Sequence, residues 1–191
     1  MKSLFGFILL ATAGCATSPA PPDREFFADL SALCGKAYAG RVVSPPAAAD
    51  ASFVGKPLVM HVRTCSADNI RIPFHVASDR SRTWVITRTA VGYRLKHDHR
   101  HEDGSEDKVT QYGGDSITPR GAARQLFPAD DFTKQLLVRE GNVAGAANVW
   151  AVEVHPGGIF AYELRRPGRL FRVEFDLTRP VAPPPPPWGS R

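Results

Sequence analysis

The stretch from His97 to Asp107 is the part of this chain whose residue types could do chemistry. It holds three of the six histidines, at alternate positions, and a run of carboxylates follows them. Alternate residues of a strand lie on one face about 6.6 Å apart, so two neighbouring imidazoles can converge on one ion. The pattern therefore predicts a divalent-metal site, for zinc or a similar ion, with these candidate ligands: His97, His99, His101 and Glu106.

A single ion cannot bind all three histidines. His97 and His101 lie about 13 Å apart along an ideal strand, so one adjacent pair would need further ligands from elsewhere. Asp115, His61 and His75 are candidates if the fold brings them near. An open coordination position beside a carboxylate would permit metal-activated water, and hence hydrolysis. Calcium is a weaker candidate, because the acidic turn lacks the ligand spacing of an EF-hand loop.

The same stretch also has a structural interpretation, as a β-hairpin. Asp103-Gly104 is typical of a two-residue type I′ turn, which sets the register of the strands on either side. The register predicts these pairs: Glu102 with Ser105, His101 with Glu106, Arg100 with Asp107, and His99 with Lys108. Favourable cross-strand pairs stabilise a hairpin by roughly 0.2 to 1 kcal/mol each. All three histidines would then point inward, on the face that holds Tyr93 and Tyr112.

An anionic ligand at the mouth of the fold is a further hypothesis. Arginines cluster in sequence around Trp84, although solvated, outward-facing arginines are the alternative. The candidate ligand-binding residues are Arg82, Trp84, Tyr93 and Tyr112. The sequence contains no nucleophile elbow, phosphate-binding loop, dinucleotide fingerprint or zinc-protease helix motif. We therefore assign no catalytic residue from the sequence, and a metal-dependent hydrolase is an alternative to a binding protein.

The elements that must position these residues are mostly strands. From Ala37 onward the hydrophobic period is two, with turn residues between the segments. The predicted strands are Ala37–Val43, Leu58–Cys65, Ile70–Val76, Thr83–Thr89, Tyr93–Glu102, Glu106–Tyr112, Arg124–Phe127, Val149–His155, Ile159–Arg165 and Leu170–Leu177. A short N-terminal helix precedes them, and Asp130–Arg139 could be a second helix or a strand. Sequential hairpins favour an antiparallel up-and-down barrel, with a β-sandwich as the alternative.

Two resemblances bear on this interpretation. The order of elements resembles the lipocalin and fatty-acid-binding superfamily, which implies a barrel plugged at one end by its N-terminal segment. The residues from Ser81 to Trp84, from Lys96 to Gly104 and from Tyr112 to Asp115 resemble a group of uncharacterised exported bacterial proteins. That second resemblance implies export and no particular activity.

The N-terminus indicates export. Lys2 precedes an apolar run from Leu4 to Ala13 that is shorter than the ~20 residues of a membrane-spanning helix. The ending Thr12-Ala13-Gly14-Cys15 resembles the signal of bacterial lipoproteins. The resemblance implies removal of residues 1–14, a lipid on Cys15, and sorting to the outer membrane because Ala16 replaces the Asp of inner-membrane retention. Ordinary cleavage after Ala13, giving a soluble periplasmic or secreted protein, is the alternative.

The rest of the chain divides simply. Residues 15–22 form a tether, residues 23–179 a single β-rich domain, and residues 180–191 a proline-rich tail with polyproline II character. Cys34 and Cys65 remain after lipidation of Cys15, and a disulfide is the default for such a pair in an oxidising compartment. The net charge of +5 falls to +4 once Lys2 is removed with the signal, and in an exported protein it favours anionic envelope partners over nucleic acid, with solubility alone as the alternative. The expected partners are the membrane, a small ligand and another envelope component.

Overall fold

A computed structural model of the chain describes residues 23–190. The predicted signal peptide, lipid-bearing Cys15 and tether 15–22 lie outside the described residues. The two α-helices are α1 (Asp23–Ser31) and α2 (Asp131–Arg139). The strands are β1 (Ala37–Val42), β2 (Leu58–His61), β3 (Thr64–Cys65), β4 (Asn69–Val76), β5 (Asp79–Arg88), β6 (Tyr93–His99), β7 (Tyr112–Asp115), β8 (Arg124–Pro128), β9 (Val149–Val154), β10 (Ile159–Arg166) and β11 (Arg169–Val181).

The strands form one antiparallel sheet that is almost closed into a barrel. Their order is β7-β6-β5-β4-β2-β1-β11-β10-β9-β8, and the short β3 pairs with β4 outside this path. Neighbours in the sheet are neighbours in the chain, apart from the β2–β4 pair, between which the short β3 intervenes, and the β1–β11 pair, which joins the first strand to the last. The predicted up-and-down barrel is confirmed, since one continuous sheet replaces the two sheets of a sandwich.

The remaining seam of the barrel lies between β7 and β8. Only isolated hydrogen bonds cross it, such as Asp130 N to Gly113 O at 2.9 Å and Ile117 N to Leu126 O at 3.0 Å. At Gly114 an added Cβ would lie 1.8 Å from the Pro128 carbonyl oxygen. The backbones therefore approach so closely here that only glycine fits.

One end of the barrel is closed by α1. Phe26, Phe27 and Leu30 are buried, because these apolar residues recur at helical spacing and therefore share the helix face that points into the core. The ring of Tyr93 lies 5.0 Å from that of Phe26 and stacks on Phe27 at 6.1 Å. Neither α-helix in residues 23–190 has the length and apolar character needed to span a bilayer.

The predicted disulfide between Cys34 and Cys65 is confirmed. Their Cα atoms lie 6.3 Å apart, and the bond closes a loop with a sequence separation of 31. Cys34 follows α1, and Cys65 lies in β3. We call α1 the plug, because it closes one end of the barrel. The disulfide therefore attaches the plug covalently to the wall of the barrel.

The second helix lies beside the seam. Asp130 caps α2 by accepting a hydrogen bond from Thr133 N. The buried Thr133 hydroxyl donates to Gly113 O at 2.9 Å and accepts from Gly113 N at 2.7 Å. Residues 131–139 thus form a helix and not a strand, and the helix is held against β7.

The tail packs on the outside of the barrel. β11 continues to Val181, two residues into the predicted tail. Trp188 N donates to Arg80 O at 3.1 Å, and Arg80 Nη1 donates to Pro186 O at 3.1 Å. Because β1, β2 and β4 lie between β11 and β5, residues 182–187 must cross their outer face. We call residues 182–190 the strap.

Four polar side chains on the outward face of β2, β4, β5 and β6 are buried. These residues are His61, His75, Thr83 and Asp98. Their inward-facing neighbours, such as Met60 and Trp84, belong to the hydrophobic core. Burial on the outward face is unusual for polar groups. It follows here from the course of the strap, since Pro187 and Trp188 line a surface hollow together with Thr83 and Asp98.

Candidate functional site

The hairpin that carries the histidines has a different register from the predicted one. An isolated bridge pairs Arg100 with Glu106, not with Asp107. Regular pairing resumes only where His97 lies opposite Tyr112. The predicted strand Glu106–Tyr112 is therefore wrong, and β7 begins at Tyr112 instead.

Local hydrogen bonds explain this shift. Asp103 accepts from Ser105 N at 2.8 Å, and His101 N donates to Ser105 O at 2.9 Å, so the turn is wider than two residues. Asp107 then accepts from Val109 N at 2.7 Å, which bends the returning chain out of the sheet. The sequence-based register assumed an uninterrupted ladder, which these side-chain interactions break.

His97 is the most buried of the three histidines. Its Nδ1 lies 3.0 Å from the Tyr112 carbonyl oxygen, and its Nε2 lies 2.8 Å from the Tyr162 hydroxyl. A carbonyl only accepts, so Nδ1 carries the proton and Nε2 accepts from the tyrosine hydroxyl. Burial lowers the pKa of His97 to about 3. This imidazole is neutral near pH 7, and both of its nitrogens are already engaged.

His99 also faces the interior. Its Nε2 lies 3.2 Å from the Tyr112 hydroxyl, and the two rings meet edge to face at 5.4 Å. Burial, followed by the charge of Arg82, lowers the pKa of His99 to about 4. Both inward histidines are therefore uncharged hydrogen-bonding groups on an otherwise aromatic wall.

The predicted metal ligands are not brought together. His101 lies in the turn with 56% of its side chain exposed, so the prediction that it points inward is wrong. Glu106 accepts from Arg100 Nη2 at 2.9 Å. Asp115 pairs with Arg94, and His61 and His75 lie on the outward face. Within residues 23–190 no group of three or more His, Cys, Asp or Glu is placed to hold a metal ion.

A cavity of about 310 Å³ lies at the end of the barrel opposite α1. Three of the four predicted ligand-binding residues line it: Arg82, Trp84 and Tyr112. Tyr93 instead packs against the plug at the closed end. The aromatic rings that line the cavity are Phe53, Phe74, Trp84, Tyr112, Trp150, Tyr162 and Phe171. Trp84 stacks on Tyr162 at 4.4 Å, so part of this wall is a continuous aromatic surface.

The charged lining of the cavity has a single sign. It contains three arginines, namely Arg82, Arg166 and Arg169, and no aspartate or glutamate. Arg82 pairs with Asp79, and its guanidinium lies 5.3 Å from the centre of the Phe53 ring. Arg169 pairs with Asp50, whose side chain is almost fully buried behind it. Two of the three cations are thus neutralised by carboxylates that do not line the cavity.

Arg166 is the exception. Its Nη1 donates to Asn148 Oδ1 at 3.0 Å, and within residues 23–190 it makes no ion pair. Burial, together with the nearby charge of Arg169, lowers the pKa of Arg166. The register of the β10–β11 hairpin places Arg166 directly opposite Arg169. A guanidinium without an ion-pair partner among the described residues therefore lies at the rim of an aromatic cavity.

Arg166 and Arg169 were not among the predicted site residues, although the sequence carries a signal for them. They flank Pro167-Gly168, a two-residue turn between two alternating strands, and such a turn makes its flanking residues cross-strand partners. Trp150 of β9 and Tyr162 of β10 are both buried in the aromatic wall. The chemistry available to this site is the binding of a small molecule by rings, amides and a cation.

No protein-family model, curated protein or solved structure matches this chain.

Proposed function

We propose that this chain is a lipid-anchored protein of the bacterial cell envelope whose barrel binds a small molecule in its open-ended cavity. The observation that carries the proposal is the cavity of about 310 Å³ walled by aromatic side chains. Small-molecule sites are concave and mostly apolar, with a few polar groups that fix orientation. Here His99, Asn142 and Asn148 supply such groups around the aromatic wall.

A small molecule is favoured over a divalent metal by the contacts of the two inward histidines. Both nitrogens of His97 are occupied by Tyr112 O and the Tyr162 hydroxyl. His99 has the Tyr112 hydroxyl as a neighbour and no carboxylate ligand beside it in the cavity lining. Metal binding would require these hydrogen bonds to be exchanged for coordination.

The lipid anchor is supported by the sequence alone, through the signal that ends in Cys15. Mass spectrometry of the N-terminal peptide from the membrane fraction tests it. We expect a diacylglyceryl-modified Cys15, and we expect a Cys15→Ser variant to lose the modification and membrane association. An unmodified N-terminus at Gly14 in the soluble fraction would overturn the anchor and leave the cavity proposal standing.

Cavity binding is tested with a neutral aromatic probe. We would titrate 2-naphthol into the full chain held in zwitterionic lipid nanodiscs, with empty nanodiscs as the blank, by isothermal calorimetry. Saturable binding of one probe per chain is expected. Leu164 lines the cavity, so Leu164→Trp should fill it and abolish binding.

The matched control is Val138→Trp, because Val138 is 48% exposed on α2. It adds the same indole away from the cavity and should leave binding unchanged. Far-UV circular dichroism of both variants verifies that the barrel is intact. The absence of saturable binding to the unmodified chain would refute the proposed function.

A further inference from the structure

We infer that the cavity is built for an organic anion, whose charged group pairs with Arg166 and whose flat apolar body lies against the aromatic wall. This inference rests on the proposed binding of a small molecule in the cavity. It goes beyond that proposal by assigning the charge and the chemical class of the ligand. The class includes aromatic and other flat apolar carboxylates, sulfonates and phosphate monoesters.

Two arginines form a cross-strand pair in the lining of the cavity. Arg166 and Arg169 are directly opposed in the β10–β11 hairpin. Like charges in this position destabilise a hairpin unless counter-charges compensate them. Asp50 forms its ion pair with Arg169; its charge also attracts Arg166, but one buried carboxylate balances only one of the two guanidiniums. One positive charge at the rim is therefore left for a group that the chain itself does not supply.

The guanidinium of Arg166 is held in place by a hydrogen bond to Asn148. Asn148 accepts from its Nη1, and Asn148 is itself buried and lines the same cavity. A guanidinium fixed at one nitrogen retains other N–H groups that can form a two-pronged contact with a carboxylate or phosphate. An ordered cation with unused donors is what recognition of a planar anion requires.

The side chains that line the cavity favour an anionic ligand over a cationic one. With no carboxylate in the lining, a cationic ligand would meet only arginines and neutral groups. Both inward histidines are neutral near pH 7, so they add no charge of either sign. The rings of Trp84, Trp150 and Tyr162 then provide a surface on which a flat apolar body can stack.

The experiment compares two probes that differ almost only in charge, 2-naphthoate and 2-naphthamide. Each is titrated by calorimetry into the full chain in zwitterionic nanodiscs. The acid should bind at least about tenfold more tightly than the amide, since charge-assisted hydrogen bonds are roughly twice as strong as neutral ones. Arg166→Gln should remove this preference and leave the affinity for the amide unchanged.

The neighbouring Arg165 provides the matched control. Its side chain is 64% exposed and pairs with Glu163 on the outer face of β10. Arg165→Gln removes the same charge from the adjacent position and should preserve the preference for the acid. Arg166→Lys, which keeps the charge without the planar fork, should retain part of the preference and covers the case in which Arg166→Gln fails to fold.

The outcomes separate the two proposals. If the acid and the amide bind equally well, or if Arg166→Gln keeps the preference, the inference is wrong while cavity binding stands. If neither naphthalene probe nor 2-naphthol binds, the proposed function itself fails. A preference lost equally in Arg165→Gln and Arg166→Gln would show a general surface charge effect and would also overturn the inference.

Discussion

The Tyr162 hydroxyl lies 2.8 Å from Nε2 of His97, on the wall between the cavity and the core. The bond has a fixed direction, because the Tyr112 carbonyl holds the proton on the other ring nitrogen. Tyr162 is thus the donor, and its hydroxyl proton is committed to the protein. The aromatic wall of the cavity is ordered by this polar contact as well as by ring packing.

Tyr162→Phe should destabilise the fold by about 1 to 3 kcal/mol. The change deletes the donor and leaves His97 Nε2 buried without a partner, which costs its full desolvation. Urea unfolding followed by circular dichroism measures the loss. Tyr112→Phe is the comparison, since its hydroxyl makes a longer bond of 3.2 Å to His99 and should cost less. Equal stability of Tyr162→Phe and the unmodified protein would contradict the assigned hydrogen bond.

Stability should fall as the pH drops below about 6.5. Burial lowers the pKa of His97 to about 3 and the pKa values of His75 and His99 to about 4. The unfolded chain, with histidine pKa values near 6.5, therefore binds more protons than the folded chain between pH ~6.5 and ~4. Urea midpoints measured between pH 8 and pH 5 should be constant above about pH 7 and decrease below it.

His75→Leu should flatten this pH profile. Nε2 of His75 is buried without a hydrogen-bond partner, and its charged neighbours are Arg80, Arg63 and Asp79. Removing the imidazole should reduce the proton uptake on unfolding by about one and leave stability near pH 8 equal or greater. An unaltered profile in His75→Leu would show that His75 does not titrate between the two states.

Replacing both disulfide cysteines by serine should destabilise the protein by about 3 kcal/mol. The bond closes a loop with a sequence separation of 31, and the loss follows from the greater chain entropy of the unfolded state. Urea unfolding under oxidising conditions measures the difference between Cys34→Ser/Cys65→Ser and the unmodified chain. Unfolding of the unmodified chain in dithiothreitol should reproduce the double variant. A difference between these two would indicate that serine itself disturbs the site.

Deleting residues 182–191, and with them the strap, should expose the outward face of β4 and β5. The half-buried Trp188 alone should contribute about 1 to 2 kcal/mol through apolar burial. Hydrogen exchange should increase in β4 and β5, which the strap crosses or contacts, and stay unchanged in β9 and β10 on the far side. Uniform exchange across all four strands would show that the strap does not protect this face.

The barrel could be predicted from the sequence because its strands alternate between polar, outward-facing residues and apolar, inward-facing residues. The meander of β9, β10 and β11 follows the predicted segments to within about one residue at most of their ends, and Phe171, Val173 and Phe175 are buried in the core. The start of β5 could not be predicted, since Asp79 to Arg82 are polar and only tertiary pairing makes them a strand.

The candidate site was only partly predictable. Arg82 and Trp84 were found because arginines cluster around Trp84 in sequence, and Tyr112 because the predicted register placed it on the same face as the histidines. Arg166 was missed because its importance depends on which arginine receives the carboxylate of Asp50, more than a hundred residues away. The predicted histidine register was wrong for a local reason. Side-chain hydrogen bonds of Asp103 and Asp107 in the turn replaced the strand pairing that periodicity alone predicts.

The plug and the cavity occupy opposite poles of the barrel, and this gives the molecule a direction. The described chain begins at Asp23 in α1, at the closed pole, so an anchor on Cys15 would attach the protein to the bilayer by that pole. The cavity mouth would then be membrane-distal. Under the proposed lipid anchoring, the ligand would therefore reach the cavity from the side that faces away from the bilayer.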